Sequence, residues 1–163
     1  MTDKKTGANP LFLREEELRQ AIELLFFAYR DFTSEADAML AHQGFGRAHH
    51  RVIYFVGRHP MISVSDLLLI LKITKQSLSR VLSQLVRDGY IVQQQGTEDR
   101  RQRLLRLTDK GVAIERDLTE AQRQRIARAY REAGADAVAG FRAVLLGIME
   151  PPDRSRFDRG RET

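Results

Sequence analysis

The stretch TEDRRQRLLRLTDKG, residues 97–111, is where the fold of this chain is decided. It sets three arginines beside two acids, then alternates Arg103, Leu105 and Leu107 before a threonine and a glycine. Alternation with a period of two predicts a strand that turns Leu105 and Leu107 toward a core. Tyr90–Gln94 and Gln102–Leu107 then pair as a hairpin around the tip Gly96–Arg101. The tip need not be buried: it can project its arginines to phosphates or into a narrow minor groove. Asp99 would accept a charge-assisted hydrogen bond that holds an arginine extended. A merely solvated hairpin, whose acids and bases neutralise one another, has the same composition. The residues before it decide between the two.

Working upstream, Gly89 ends a helix predicted over Lys75–Asp88, capped by Thr74, with Leu78, Leu82, Leu85 and Val86 inward. Its opposite face offers Lys75, Gln76, Ser79, Arg80 and Ser83, polar and basic, without bulky apolar groups. Ser63 and Asp66 resemble a capping box for a shorter helix carrying Leu67 and Leu71. The tight link Lys72-Ile73 joins the two as a helix-turn-helix, whose second helix would enter a DNA major groove. A hairpin directly behind such a pair is a wing. Another helix, Arg47–Arg58, precedes them, with Val52, Phe55 and Val56 inward and Pro60 beyond its end.

Outside this block lie two long amphipathic stretches. Leu18, Ile22, Leu25, Tyr29, Phe32, Ala36 and Met39 recur at spacings of 4, 3, 4, 3, 4 and 3, a helical stripe with a heptad repeat. Leu24, Phe26 and Phe27 widen it, so the helix needs more than one neighbour, within one domain or across a subunit interface. Downstream, Thr108 caps a helix with Asp109 in its first turn, reaching Ala133-Gly134. A last helix aligns Val138, Phe141, Leu145 and Ile148 and stops at Pro151-Pro152.

Composition narrows the function. The chain has 163 residues, a formal net charge of +5 and no cysteine, which removes disulfides and thiolate metal sites. Residues 62–108 hold eight Lys/Arg against four Asp/Glu and so carry +4, leaving 19 against 18, or +1, elsewhere. A basic module between near-neutral arms fits a nucleic-acid binder. The apolar runs are too short to cross a bilayer and MTDKKTGANP lacks the apolar run of a signal peptide, so a cytoplasmic protein with no membrane partner is expected.

ITKQSLSRVLSQLVRDGYIV at 73–92, followed by EDRRQRLLRLTDKG at 98–111, resembles the MarR family of bacterial transcriptional regulators. These segments match the family's recognition helix, its D-x-R wing tip and the L-T-x-x-G run that leads into the next helix. The resemblance implies a mostly α fold: a winged helix-turn-helix lobe about 47–108, with helices about 11–43 and 108–150 forming a dimerisation domain. Residues 1–10 would be a disordered leader, 11–150 a single unit and 151–163 a disordered tail. It further implies a homodimer on pseudo-palindromic double-stranded DNA, acting as a repressor and released by a small-molecule effector. Carried onto this sequence, Thr74, Lys75, Gln76, Ser79, Arg80 and Ser83 form the groove-facing set, and Asp99, Arg100 and Arg101 the wing set. Two departures stand out. Lys72 occupies the turn position where glycine is common, at a cost of roughly 1 kcal/mol if its φ is positive, and Leu68 stands where a small residue is usual.

By the family layout Phe26, Tyr29, His50 and Tyr54 would line a cleft for an effector of the phenolic or aromatic-acid type; ordinary core packing explains the same composition. A winged helix with no effector, used on DNA or for protein contact, is the alternative. An enzyme is not expected: there is no Gly-rich phosphate loop and no G-x-S-x-G. His42, His49, His50 and His59 lack metal-ligand spacing, so neither a metal nor a cofactor is expected.

Overall fold

A computed structural model describes residues 10–160. The expected leader, Pro10 excepted, lies outside them, as do residues 161–163. The described chain is mostly helical with one small antiparallel sheet. Where a single unit over 11–150 is expected, it divides into two compact units, Met1–Gln122 and Arg123–Thr163.

The first unit opens with a 3-10 turn, Leu11–Leu13, and helix α1, Glu15–Ala41, whose first turn holds three glutamates at the positive end of the helix dipole. Residues 15–31 are exposed throughout, among them Leu18, Ile22, Leu24, Leu25, Phe26, Phe27 and Tyr29. Only Thr33, Ala36 and Leu40 are buried. Helix α2, Arg47–Arg58, buries Val52, Ile53 and Val56 completely, with Phe55 packed partly against them.

Strand β1, Ile62–Ser63, is not announced by the sequence pattern, because two residues carry no period. Ser63 serves as strand and cap together: its Oγ accepts the Asp66 N–H at 3.0 Å and opens helix α3, Val64–Leu71. At the end of α3, Lys72 adopts φ 51 and ψ 40, the left-handed conformation. The turn therefore keeps a glycine-like backbone with a lysine in it. Thr74 Oγ1 accepts the Ser77 N–H at 3.1 Å and caps helix α4, Lys75–Arg87. Leu78, Val81, Leu82 and Leu85 form its buried stripe at i, i+3, i+4 and i+7. Val86, expected inward, is 38% exposed, because it lies beyond the edge of that stripe and Val81 fills the place.

Strands β2, Ile91–Gln95, and β3, Arg103–Leu107, pair antiparallel from Ile91↔Leu107 to Gln95↔Arg103, and β1 adds to the other side of β3. Leu105, in the central strand, is fully buried. A threonine ties the hairpin to the next helix. Thr108 Oγ1 donates to the Gly89 carbonyl at 2.6 Å and accepts the Gly111 N–H at 3.0 Å, starting helix α5, Asp109–Ala133. Gly111 is required there, since a Cβ would collide with the Tyr90 carbonyl oxygen and push α5 off the hairpin. Leu40, Val52, Ile53, Leu67, Leu78, Leu85, Ile91, Leu105 and Leu118 make one core, each large side chain contributing roughly 1.5–3 kcal/mol.

The second unit holds the end of α5, then Gly134 at φ 86 and helix α6, Ala135–Ile148. Tyr130 and Phe141 meet edge-on with ring centroids 6.2 Å apart. No residue of α6 is buried. Over residues 151–160 a disordered tail is expected, but the chain forms helix α7, Pro151–Arg154, and a 3-10 segment, Ser155–Gly160. Proline suits the first helical positions. Arg154 folds back to donate from Nε to the Met149 carbonyl at 2.8 Å and from Nη2 to that of Gly147 at 3.0 Å, which satisfies the end of α6. Among the described residues no helix is long and apolar enough to cross a membrane.

Candidate nucleic-acid interface

Capping by Thr74 and burial of the Leu78–Leu85 stripe fix which face of α4 looks outward. Thr74, Lys75, Gln76, Ser79, Arg80 and Ser83 are all exposed on that face. Ser77 turns partly inward, its hydroxyl accepting from Thr74 Oγ1 at 2.9 Å.

The hairpin tip is built by its backbone. Gly96 N–H donates to the Gln102 carbonyl at 2.9 Å and Gln102 N–H donates to that of Asp99 at 3.1 Å. Gly96 has no side chain because a Cβ would sit 2.5 Å from the Asp99 carbonyl oxygen. Asp99 Oδ1 accepts the Arg101 backbone N–H at 2.9 Å and lies 3.5 Å from Arg101 Nε, while the Arg101 side chain is 94% exposed. The expected aspartate–arginine contact is thus present, but its shorter half goes to the main chain. Arg100 is exposed as well, and its carbonyl accepts from Gln95 Nε2 at 2.7 Å. Gln95 escaped the sequence reading. The only signal was its place at the end of a glutamine run flanking Gly96.

A groove separates α3, α4 and the hairpin. Val64, Leu68 and Leu82 form its apolar floor, and Lys75, Arg101 and Arg103 stand on its rim. Asp99 also lines it, already engaged by Arg101.

The four residues expected to line an effector cleft are placed less uniformly. Phe26 is 64% exposed and touches Phe27 edge-on. Tyr29 accepts a hydrogen bond from Arg51 Nη2 at 2.8 Å and lies 5.7 Å below the Arg47 guanidinium, which Asp37 holds at 2.9 Å. His50 is buried on α2 and Tyr54 packs edge-on against Phe55. Among the described residues no hydrogen bond or ring contact joins Phe26 or Tyr54 to Tyr29 or His50. Burial pushes the His50 pKa below its ordinary value; Asp37 and Glu115 oppose the shift and Arg51 adds to it. The histidines do not gather: among the described residues no group of three or more His, Asp or Glu could hold a metal.

The MarR family model matches residues 43–102, from the loop before α2 to the wing tip. The HTH-type transcriptional regulator PetP of Rhodobacter capsulatus is 50% identical over 151 residues, 93% of this chain and 91% of that protein. The chain belongs to the MarR family. Two solved structures share its fold. FabT of Streptococcus pneumoniae, in complex with DNA, matches with a TM-score of 0.71 and 20% identity over 80% of this chain and 94% of that one. A mutant MarR from E. coli, complexed with operator DNA, matches with a TM-score of 0.64 and 21% identity over 86% and 99%. As a MarR-family member the chain is a DNA-binding transcriptional regulator of the winged helix-turn-helix type and not an enzyme.

Proposed function

We propose that this chain is a homodimeric repressor that reads a pseudo-palindromic operator with α4 in the major groove and the tip 96–101 on the adjacent backbone or minor groove. The observation that carries this reading is the groove shared by Lys75, Ser79 and Ser83 of α4 with Asp99 and Arg101 of the tip. Cations from two elements, Lys75 of α4 and Arg101 of the tip, line one groove. The DNA complexes of FabT and MarR support the same use here.

Pairing of two chains is supported by apolar surface that the chain alone leaves uncovered: Ile22, Leu24 and Phe26 on α1, and Phe141, Val144 and Ile148 on α6. An isologous dimer would bury both sets and set two recognition helices about one DNA turn apart, roughly 34 Å. The effector we assign to this regulator is of the phenolic or aromatic-acid type. Arg47 and Arg51 beside Tyr29, with neutral buried His50 on the same helix, could bind a carboxylate and a ring.

Selection of duplexes from a random library, followed by sedimentation of the protein on the enriched sequence, tests the proposal. An inverted repeat bound by two chains is expected, with both dimer and binding lost in the double variant Leu145→Asp, Ile148→Asp. A folded wild-type monomer at micromolar concentration, or enrichment of an unrepeated site, contradicts it.

A further inference from the structure

We propose that His49 is a positioning residue for sequence recognition: it fixes the recognition helix α4 through Gln84, and does so only as the neutral Nε2–H tautomer. This rests on the DNA-reading role proposed for α4.

His49 is the third residue of α2 and part-buried, and its two ring nitrogens are both occupied. Nδ1 accepts the Gly46 backbone N–H at 3.1 Å, while Nε2 lies 2.8 Å from Gln84 Oε1 in α4. A backbone N–H can only donate, so Nδ1 must carry a lone pair. The ring proton of the neutral side chain then sits on Nε2 and is donated to the Gln84 amide oxygen. One imidazole thus satisfies an orphan donor at the start of α2 and reaches across to α4. Ring packing aims it. Phe45, 5% exposed, stacks on His49 with centroids 4.7 Å apart and 17° between planes, and meets the Tyr90 ring edge-on at 5.3 Å. Tyr90 precedes the wing, so α2, α4 and the wing root converge on this ring.

Gln84 is one turn beyond Arg80 and borders the face that carries Gln76, Arg80 and Ser83. The apolar stripe on the far side of α4 resists its withdrawal from the core but not small rotations about its axis. A directional hydrogen bond at the border of the outward face removes that freedom. The expected consequence falls on discrimination between sequences, which needs side chains placed to within about 0.5 Å, more than on nonspecific attraction to phosphates.

Two amide variants separate the roles, since both lose the ring and its stacking. In His49→Asn the side-chain oxygen overlays Nδ1 and keeps the α2 cap but cannot reach α4. In His49→Gln the amide nitrogen overlays Nε2 and keeps the donor to Gln84. Binding is measured to the duplex that wild type enriches from a random library and to a scrambled duplex, beside thermal melting. His49→Asn and Gln84→Leu should each lower the ratio of enriched-site to scrambled affinity about fivefold, the worth of one net hydrogen bond. Their combination should lose no more than either alone, and His49→Gln should restore the ratio whatever its melting temperature. Equal ratios for the Asn and Gln variants, additive losses, or a ratio that simply follows melting temperature would overturn the assignment. If wild type enriches no sequence, the DNA-reading role of α4 falls first and the proposal with it.

Discussion

Asp99 and Arg101 are joined twice, through the arginine's backbone N–H at 2.9 Å and its guanidinium Nε at 3.5 Å from the same carboxylate oxygen. The first bond shapes the tip and the second leaves the guanidinium almost fully in solvent, where the ion pair itself stabilises little. Arg101→Ala, and to a smaller degree Arg100→Ala, should weaken DNA binding and lower its salt slope by about one per lost contact, with melting unchanged. Asp99→Ala should weaken binding through loss of tip order although it removes a negative charge. An increase in affinity for Asp99→Ala would show that the carboxylate only repels phosphates.

On α4, Gln76 and Arg80 stand one turn apart on the exposed face. Each good bidentate contact to a base contributes about 1–3 kcal/mol of discrimination. Gln76→Ala and Arg80→Ala should therefore flatten base preference at neighbouring operator positions while scrambled DNA is bound nearly as before. A base-substitution scan identical to wild type for both variants would remove these residues from the reading face.

Long periodic elements were legible because their faces are chosen by burial. The stripe Leu78, Leu82, Leu85 and the alternation around Leu105 each point one way only, and the caps Ser63, Thr74 and Thr108 mark where helices begin. Contacts made at long range were not. The pairing of β1 with β3 depends on Ile62 meeting Leu105 across the chain, and two residues show no period. Gln95 bonds the Arg100 carbonyl and His49 bonds Gln84 across to α4, partners brought together only by the fold, and nothing in their own spacing marks them. At the candidate effector site, family layout named Phe26, Tyr29, His50 and Tyr54, but the arginines beside Tyr29 emerged only from the packing of α1 on α2.

His50 should make stability depend on pH. Its folded pKa is held below the ordinary value of about 6.5 by burial, so between the two values the unfolded chain binds more protons than the folded one. Stability from this group is complete above about pH 6.5 and is lost as pH falls toward the depressed folded value. Urea midpoints taken from about pH 7.5 down to about 5.5, a range that brackets the ordinary histidine pKa, should fall more steeply for wild type than for His50→Gln. Parallel curves would mean that His50 titrates alike in both states.

Lys72 holds φ 51 at the end of α3, a conformation that costs an L-residue roughly 1–2 kcal/mol. Glycine removes that strain but raises the entropy of the unfolded chain by roughly 0.5–1 kcal/mol. Lys72→Gly should raise stability by up to about 1.5 kcal/mol, the most that the difference between the two allows, and Lys72→Val should lower it. Chemical denaturation decides the sign, and a destabilised glycine variant would show that the lysine's own interactions outweigh the strain.

The central claim, that α4 and the wing tip grip DNA through paired cationic lobes, is tested most directly by the affinity of the wild-type protein for its enriched duplex as salt is raised from about 50 to 200 mM. Two lobes that each place most of Lys75, Arg100, Arg101 and Arg103 on phosphates would make about 6–8 contacts, and affinity should fall by roughly 10³–10⁵ over that range. An affinity that stays within a few-fold across the same range would contradict the account.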